Sequence, residues 1–265
     1  ATRMAAMLIH AGPIWTGDPR QPWAQALVVR GTDIAYVGPL AGAEALLEDG
    51  AERFDLAGRM CMPGFIEAHN HLAMMGISKV GCDLSGIDDV DGMQRALTDW
   101  IAAHPDADVV RGHGWMPASF PDGHPRRELL DAVTGDRPAL IYSADIHDSW
   151  GNTRALELCG ITAETPDPDP GKQYWVRDPD GSPSGDLVEG APTLVMSVAL
   201  GVFSPESLRE AQRLTLDPAP SWGITSYMEA GVFVGFHGTD AEPVYADLVA
   251  RDLRGELDVR IVGTH

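Results

Sequence analysis

A strand–helix–strand run near the end of the sequence is its strongest constraint on fold. Gly223-Ile224-Thr225-Ser226-Tyr227-Met228 reads as a strand, Pro243 to Arg254 as a helix turning Val244, Leu248 and Val249 inward, and Leu257 to Gly263 as a second strand. That rhythm is a βαβ unit, which predicts a parallel sheet or a barrel. The sequence stops at His265, just past a strand, so the expectation is that something else completes the sheet.

A second stretch carries the chemistry. Met62-Pro63-Gly64-Phe65-Ile66-Glu67-Ala68-His69-Asn70-His71 reads as a strand opened by a Pro-Gly step and closed by His-x-His. Side chains alternate along a strand, so His69 and His71 share one face while Asn70 points away. Two imidazoles about 7 Å apart on one strand face can converge on a single ion over a cavity. They can equally be polar residues at a strand end, and the pair alone leaves both readings open.

Composition narrows the function classes. The chain has 265 residues, 44% of them apolar and 22% charged, which suits a globular protein able to bury a core. A net charge of −20 argues against nucleic acid as a partner, because phosphates are repelled. Three cysteines, Cys61, Cys82 and Cys159, form no CxxC pair, as expected of a reducing compartment. No apolar run reaches membrane-spanning length and the start lacks a basic-then-apolar signal pattern, so the expectation is a cytoplasmic protein.

The remaining segments give an order of elements. Residues 6–62 read as a small all-β region of short runs (7–10, 26–30, 34–37, 53–56), with a helical turn or two at 41–47. Val90 to Ile101 has a helical face capped by Asp88 or Asp89. Buried strands are expected at 108–115 and 138–143, and short helices at 126–133 and 153–159. Residues 162–186 are rich in Pro, Asp and Gly and read as irregular, with a hairpin at 174–181. Leu187 to Leu200 reads as helix, and Ser204-Pro205-Glu206 starts another with Ser204 as cap.

The ordered set of segments resembles the amidohydrolase superfamily, and within it amidohydrolase family 3, the YtcJ-like group. The resemblance rests on Pro63-Gly-Phe-Ile-Glu-Ala-His-Asn-His71, Arg111-Gly-His-Gly-Trp115, Phe120-Pro-Asp-Gly-His-Pro-Arg-Arg127, Asp145-Ile-His-Asp-Ser-Trp-Gly-Asn152, Gly181-Ser-Pro-Ser-Gly185 and Gly223-Ile-Thr-Ser226. It implies an α/β chain forming part of a (β/α)8 TIM-like barrel. Residues 1–62 would be part of a composite β-sandwich, and residues 63–265 the first part of the barrel. Residues from about 72 to 220 would be a large α/β insertion after barrel strand 1, roofing the site. The implied chemistry is hydrolysis of an amide or related C–N bond with one or two divalent metal ions, zinc above all. His69 and His71 match the strand-1 ligands. The other ligands and a general-base Asp of such proteins fall beyond residue 265. The expected partners are therefore a small-molecule substrate and the rest of the barrel, from missing residues or another fragment, with homo-oligomerisation expected. Two rivals stand beside this reading: a truncated or degenerate barrel acting as a scaffold, and a metal hydrolase of C–O or phosphoester bonds.

Candidate substrate-binding residues are His113, Trp115, Asp145, His147 and Trp150. Each has a plain alternative. His113 could satisfy a backbone carbonyl in a packed loop, and Asp145 with His147 could be a structural pair. Ile146 replaces the usual Gly of that segment, which questions the local turn, since Gly permits positive φ and Ile does not. Glu189 and Glu229 read as salt-bridged or solvated carboxylates rather than ligands. His10, His104, His124 and His237 read as ordinary surface histidines, and His265 has no assignment.

Overall fold

A computed structural model describes residues 6–230 and 242–263; His237 and His265 lie outside the described residues. The chain divides into two units, 1–65 and 66–265.

In the first unit, short strands alternate with turn residues. They are β1 (Ala6–His10), β2 (Ile14–Trp15), β3 (Trp23–Ala24), β4 (Ala26–Arg30), β5 (Asp33–Gly38) and, after helix α1 (Leu40–Glu44), β6 (Glu52–Asp55). Four of them form a sheet in the order β5-β4-β1-β6; β1 is antiparallel to β4 and parallel to β6. Leu8, Ala26, Val28 and Ala43 pack with Tyr36, Leu40 and Leu47 as a small core. Their period of two along β1 and β4 is why these residues form half-buried strands.

The second unit opens with β7 (Phe65–Asn70), whose first residue lies at the division, and the short helix α2 (Leu72–Ile77). A long α/β segment follows: β8 (Cys82–Asp83), α3 (Val90–Ala103), β9 (Val110–Trp115), α4 (Arg127–Thr134), β10 (Ala139–Ser143), β11 (Ser149–Gly151), α5 (Thr153–Leu158), β12 (Tyr174–Arg177), β13 (Pro183–Val188), α6 (Gly190–Ala199) and α7 (Pro205–Leu216). Its six-stranded sheet runs β12-β13-β11-β10-β9-β8, with β8, β9 and β10 parallel and the rest antiparallel. Every residue of β10 is buried, as a strand covered on both faces requires. Leu140 and Tyr142 pack on one side with Leu156, Met196 and Ala211; Ala139 and Ile141 pack on the other with Met93, Leu97 and Leu130.

The helix starts follow their caps. The Asp89 carboxylate accepts the Gly92 N–H (2.7 Å) at α3, and the Ser204 hydroxyl accepts the Ser207 N–H (3.2 Å) at α7, with Pro205 in the first position. One expectation fails here. Leu187 and Val188 finish strand β13, and helix α6 begins only at Gly190. The break falls at Glu189, which adopts φ 68°. The apolar run at 187–200 therefore divides into two elements that periodicity alone could not separate. The hairpin expected at 174–181 is present: β12 pairs antiparallel with β13 across the turn at Asp178–Gly181, and β13 extends regular structure through the end of the stretch read as irregular.

The βαβ run closes the unit: β14 (Ile224–Glu229), α8 (Glu242–Leu253) and β15 (Arg260–Gly263). Strands β14 and β15 are parallel, and the sheet order is β15-β14-β7. Three strands are described and no closed barrel is seen among them. Tyr227 packs with Leu72, Leu216, Ala219, Leu248 and Val259 on the helix-covered face. The pleat turns Met228 away from its buried neighbours Tyr227 and Glu229, and Val262, opposite it on β15, is exposed too; Ile66 on β7 is 71% exposed.

Candidate functional site

The ends of β7 and β14 lie side by side, since the Ala230 N–H donates to the Asn70 carbonyl at 2.7 Å. His69 closes β7 on its exposed side, and His71 stands at the entry to α2. Their rings meet edge to face with centroids 5.2 Å apart. Two imidazoles sharing one tetrahedral ion through nitrogens about 2.1 Å from it would have centroids about 5 Å apart. The observed spacing matches that value. Among the described residues, no group of three or more His, Cys, Asp and Glu side chains converges as a metal site. The histidines supply two donors, half of a closed tetrahedral set.

Two carboxylates frame the pair. The Glu67 carboxylate accepts the His69 N–H at 3.1 Å. Glu229, at the end of β14, is only 1% exposed; its Oε2 accepts the Leu72 N–H at 2.7 Å and its Oε1 lies 3.8 Å from His71 Nδ1. Of the two expectations the structural ion pair holds and the solvated one does not: Glu229 is a buried carboxylate paired with His71 and clamped to the His71–Leu72 step.

The five candidate substrate residues separate into two groups. Trp115 and Trp150 are core residues. The Trp115 indole donates to the Ile141 carbonyl (2.9 Å) and the Trp150 indole to the Arg126 carbonyl (2.9 Å). Phe120 bridges them edge to face, with centroids 5.6 Å from Trp115 and 5.3 Å from Trp150. Both indoles are fully buried, which corrects the expectation of an aromatic pocket wall and leaves a ligand no access.

His113, Asp145 and His147 instead lie at the carboxyl ends of the parallel strands β9 and β10, the edge where open α/β sheets hold ligands. His113 Nε2 is 3.3 Å from the exposed carboxylate of Asp83, and burial lowers its pKa. It therefore pairs with a side chain rather than a backbone carbonyl. Asp145 accepts the Ser143 hydroxyl (2.7 Å) and the His147 N–H (3.2 Å), and the serine contact leads in holding its carboxyl below the usual range. The His147 ring turns elsewhere, to Glu189 at 2.9 Å, which raises its pKa. Asp145 and His147 are thus joined by a side-chain-to-backbone hydrogen bond, and their opposite charges reinforce it. Ile146 between them adopts φ 60°, so the turn survives with a β-branched residue where glycine is the easy choice. Hydrogen bonds from Ser143 N–H to the Asp148 carbonyl, and from Asp148 N–H to the Ser143 hydroxyl, hold it there.

Sequence reasoning missed one pair. His124, read as an ordinary surface residue, places Nδ1 2.6 Å from Oδ2 of Asp186, a carboxylate only 3% exposed. Burial pushes Asp186 up to about 6, with His124 pulling the other way. The partners are 62 positions apart, and the fold brings the loop that carries His124 against strand β13. By contrast, His104 stacks on Trp100 at the end of α3, as befits a surface residue. Among the described residues no helix is long and apolar enough to cross a membrane.

Together these give an α/β protein with paired histidines at the end of one strand. The family follows from comparison. Residues 52–255 match the amidohydrolase family, and the chain belongs to it. It is 34% identical over 82% of its length to the "Exoenzymes regulatory protein AepA" of Pectobacterium carotovorum subsp. carotovorum, covering 48% of that protein. It is 32% identical over 80% of its length to an "N-substituted formamide deformylase" of Arthrobacter pascens, covering 40% of it. A solved structure described as an uncharacterized metal-dependent hydrolase from Pyrococcus horikoshii shares the fold over 98% of this chain and 48% of its own, with a TM-score of 0.69 at 21% identity. The chain thus spans about half the length of the relatives it matches.

Proposed function

We propose that the chain is part of a metal-dependent hydrolase that cleaves an amide or related C–N bond. The observation that carries the reading is the edge-to-face His69–His71 pair at a strand end in a member of the amidohydrolase family. The two imidazoles would hold a divalent ion, zinc being the simplest choice for nitrogen donors. Such an ion, when bound, acidifies a water and polarises a carbonyl. Glu67 steadies the backbone at His69, and the exposure of His69 leaves substrate a path to the pair. His113, Asp145 and His147 are the polar groups available for orienting a small-molecule substrate.

The exposed Met228 and Val262, paired across β14 and β15, support a further proposal, that more βα units close a (β/α)8 barrel over this face. The missing ligands and a general-base Asp would sit among those units, contributed by the same polypeptide or a second copy. Residues 1–62 would then belong to a composite β-sandwich.

A second reading is a non-catalytic scaffold or regulatory component, favoured by the presence of only two metal donors among the described residues and by the regulatory name of one relative. The test strips the purified protein with a chelator, restores Zn2+, and assays N-substituted formamides, matched esters and phosphoesters. Metal-restored release of amine is the expected result. Preference for an ester or phosphoester overturns the C–N assignment, and no turnover by a metal-loaded protein favours the scaffold.

A further inference from the structure

Glu229 is a buried carboxyl group beside the proposed metal site, and its contacts select one role for it. By the pleat it shares a strand face with Tyr227, the face packed against helices, and not the face that carries Met228. One carboxylate oxygen is committed to the Leu72 N–H at 2.7 Å, and the neighbouring Ala230–Asn70 hydrogen bond ties the two strand ends together. The other oxygen faces His71 Nδ1 at 3.8 Å. A neutral imidazole carries its proton on one nitrogen and a lone pair on the other. A carboxylate facing Nδ1 favours the proton there and leaves the Nε2 lone pair for an ion, the arrangement common to metal-bound histidines.

We infer that Glu229 is a positioning residue for His71, fixing its ring orientation and tautomer so that Nε2 meets the ion shared with His69. The inference rests on the reading of His69 and His71 as metal ligands. Its alternatives are a purely structural clamp on the Leu72 N–H and direct coordination of the ion.

Co2+ titration of the whole expressed protein, followed by its visible absorption, separates these roles. Glu229→Gln keeps an oxygen for the Leu72 N–H but removes the charge facing His71. It is expected to weaken Co2+ binding about 10- to 100-fold. Its absorption bands at saturation and the melting temperature of the metal-free protein should match wild type, and Glu229→Asp should recover part of the affinity. Unchanged affinity in Glu229→Gln leaves only the structural clamp and overturns the inference. Bands altered at saturation make Glu229 a ligand and overturn it too. If wild type and a His69→Ala/His71→Ala variant bind Co2+ equally, the metal reading itself falls and takes this inference with it.

Discussion

Trp150 offers the sharpest test of the boundary between core and pocket. Its indole is fully buried, packs edge to face on Phe120 at 5.3 Å, and donates to the Arg126 carbonyl at 2.9 Å. Trp150→Ala removes the whole ring and leaves a cavity, which costs about 3–5 kcal/mol. Trp150→Phe keeps most of the apolar surface. It loses a hydrogen bond of about 1 kcal/mol and some buried area, for a total of about 2 kcal/mol. The Arg126 carbonyl still accepts the Leu129 N–H at 3.1 Å, so no larger penalty arises there. Urea unfolding followed by far-UV circular dichroism measures both changes, and steady-state kinetics on any hydrolysed amide measures KM. The expectation is two graded losses of stability, with KM of the Phe variant within about twofold of wild type, a difference under about 0.5 kcal/mol. A Phe variant as stable as wild type but with KM raised tenfold would refute the core assignment and restore Trp150 to the pocket.

Other consequences follow from the same contacts. Helices α2 and α7 cross so closely at Gly76 that a Cβ there would lie 1.9 Å from the Ala211 carbonyl oxygen. Gly76→Ala should therefore cost about 2 kcal/mol or more by forcing the helices apart, read as a lower urea midpoint. Asp186, raised to about 6 from 3.8, binds its proton more tightly in the folded state. Stability should accordingly fall as pH rises from about 4 to 6, by up to about 3 kcal/mol, then level off. Asp186→Asn should flatten that slope in unfolding measured at pH 4, 5, 6 and 7, and an unchanged slope would contradict the assignment. Ile146 at φ 60° carries strain that glycine relieves, so Ile146→Gly should gain about 1 kcal/mol in the same unfolding assay.

What the sequence revealed depended on the range of the interactions involved. The βαβ run was legible because hydrophobic period and helix boundaries are local, and β14, α8 and β15 fall on the expected segments. The caps at Asp89 and Ser204 were legible for the same reason. The strand-to-helix break at Glu189 was not, because the residues on both sides of it are apolar and the positive φ is imposed by surrounding structure. Ile146 makes the same point: hydrogen bonds between Ser143 and Asp148 override a local preference. At the site, His69 and His71 stood out by spacing, whereas Glu229 is 158 positions from His71 (229 − 71) and meets it only through strand pairing. The indoles of Trp115 and Trp150 could not be assigned by type, since aromatic residues build cores and pockets alike.

Metal content measured by inductively coupled plasma mass spectrometry tests the central claim most directly. The account predicts at least one divalent transition metal per chain in the folded wild-type protein, lost in a His69→Ala/His71→Ala variant that still folds. A folded wild type without bound metal after incubation with Zn2+, or a double variant that retains the wild-type metal content, would contradict it.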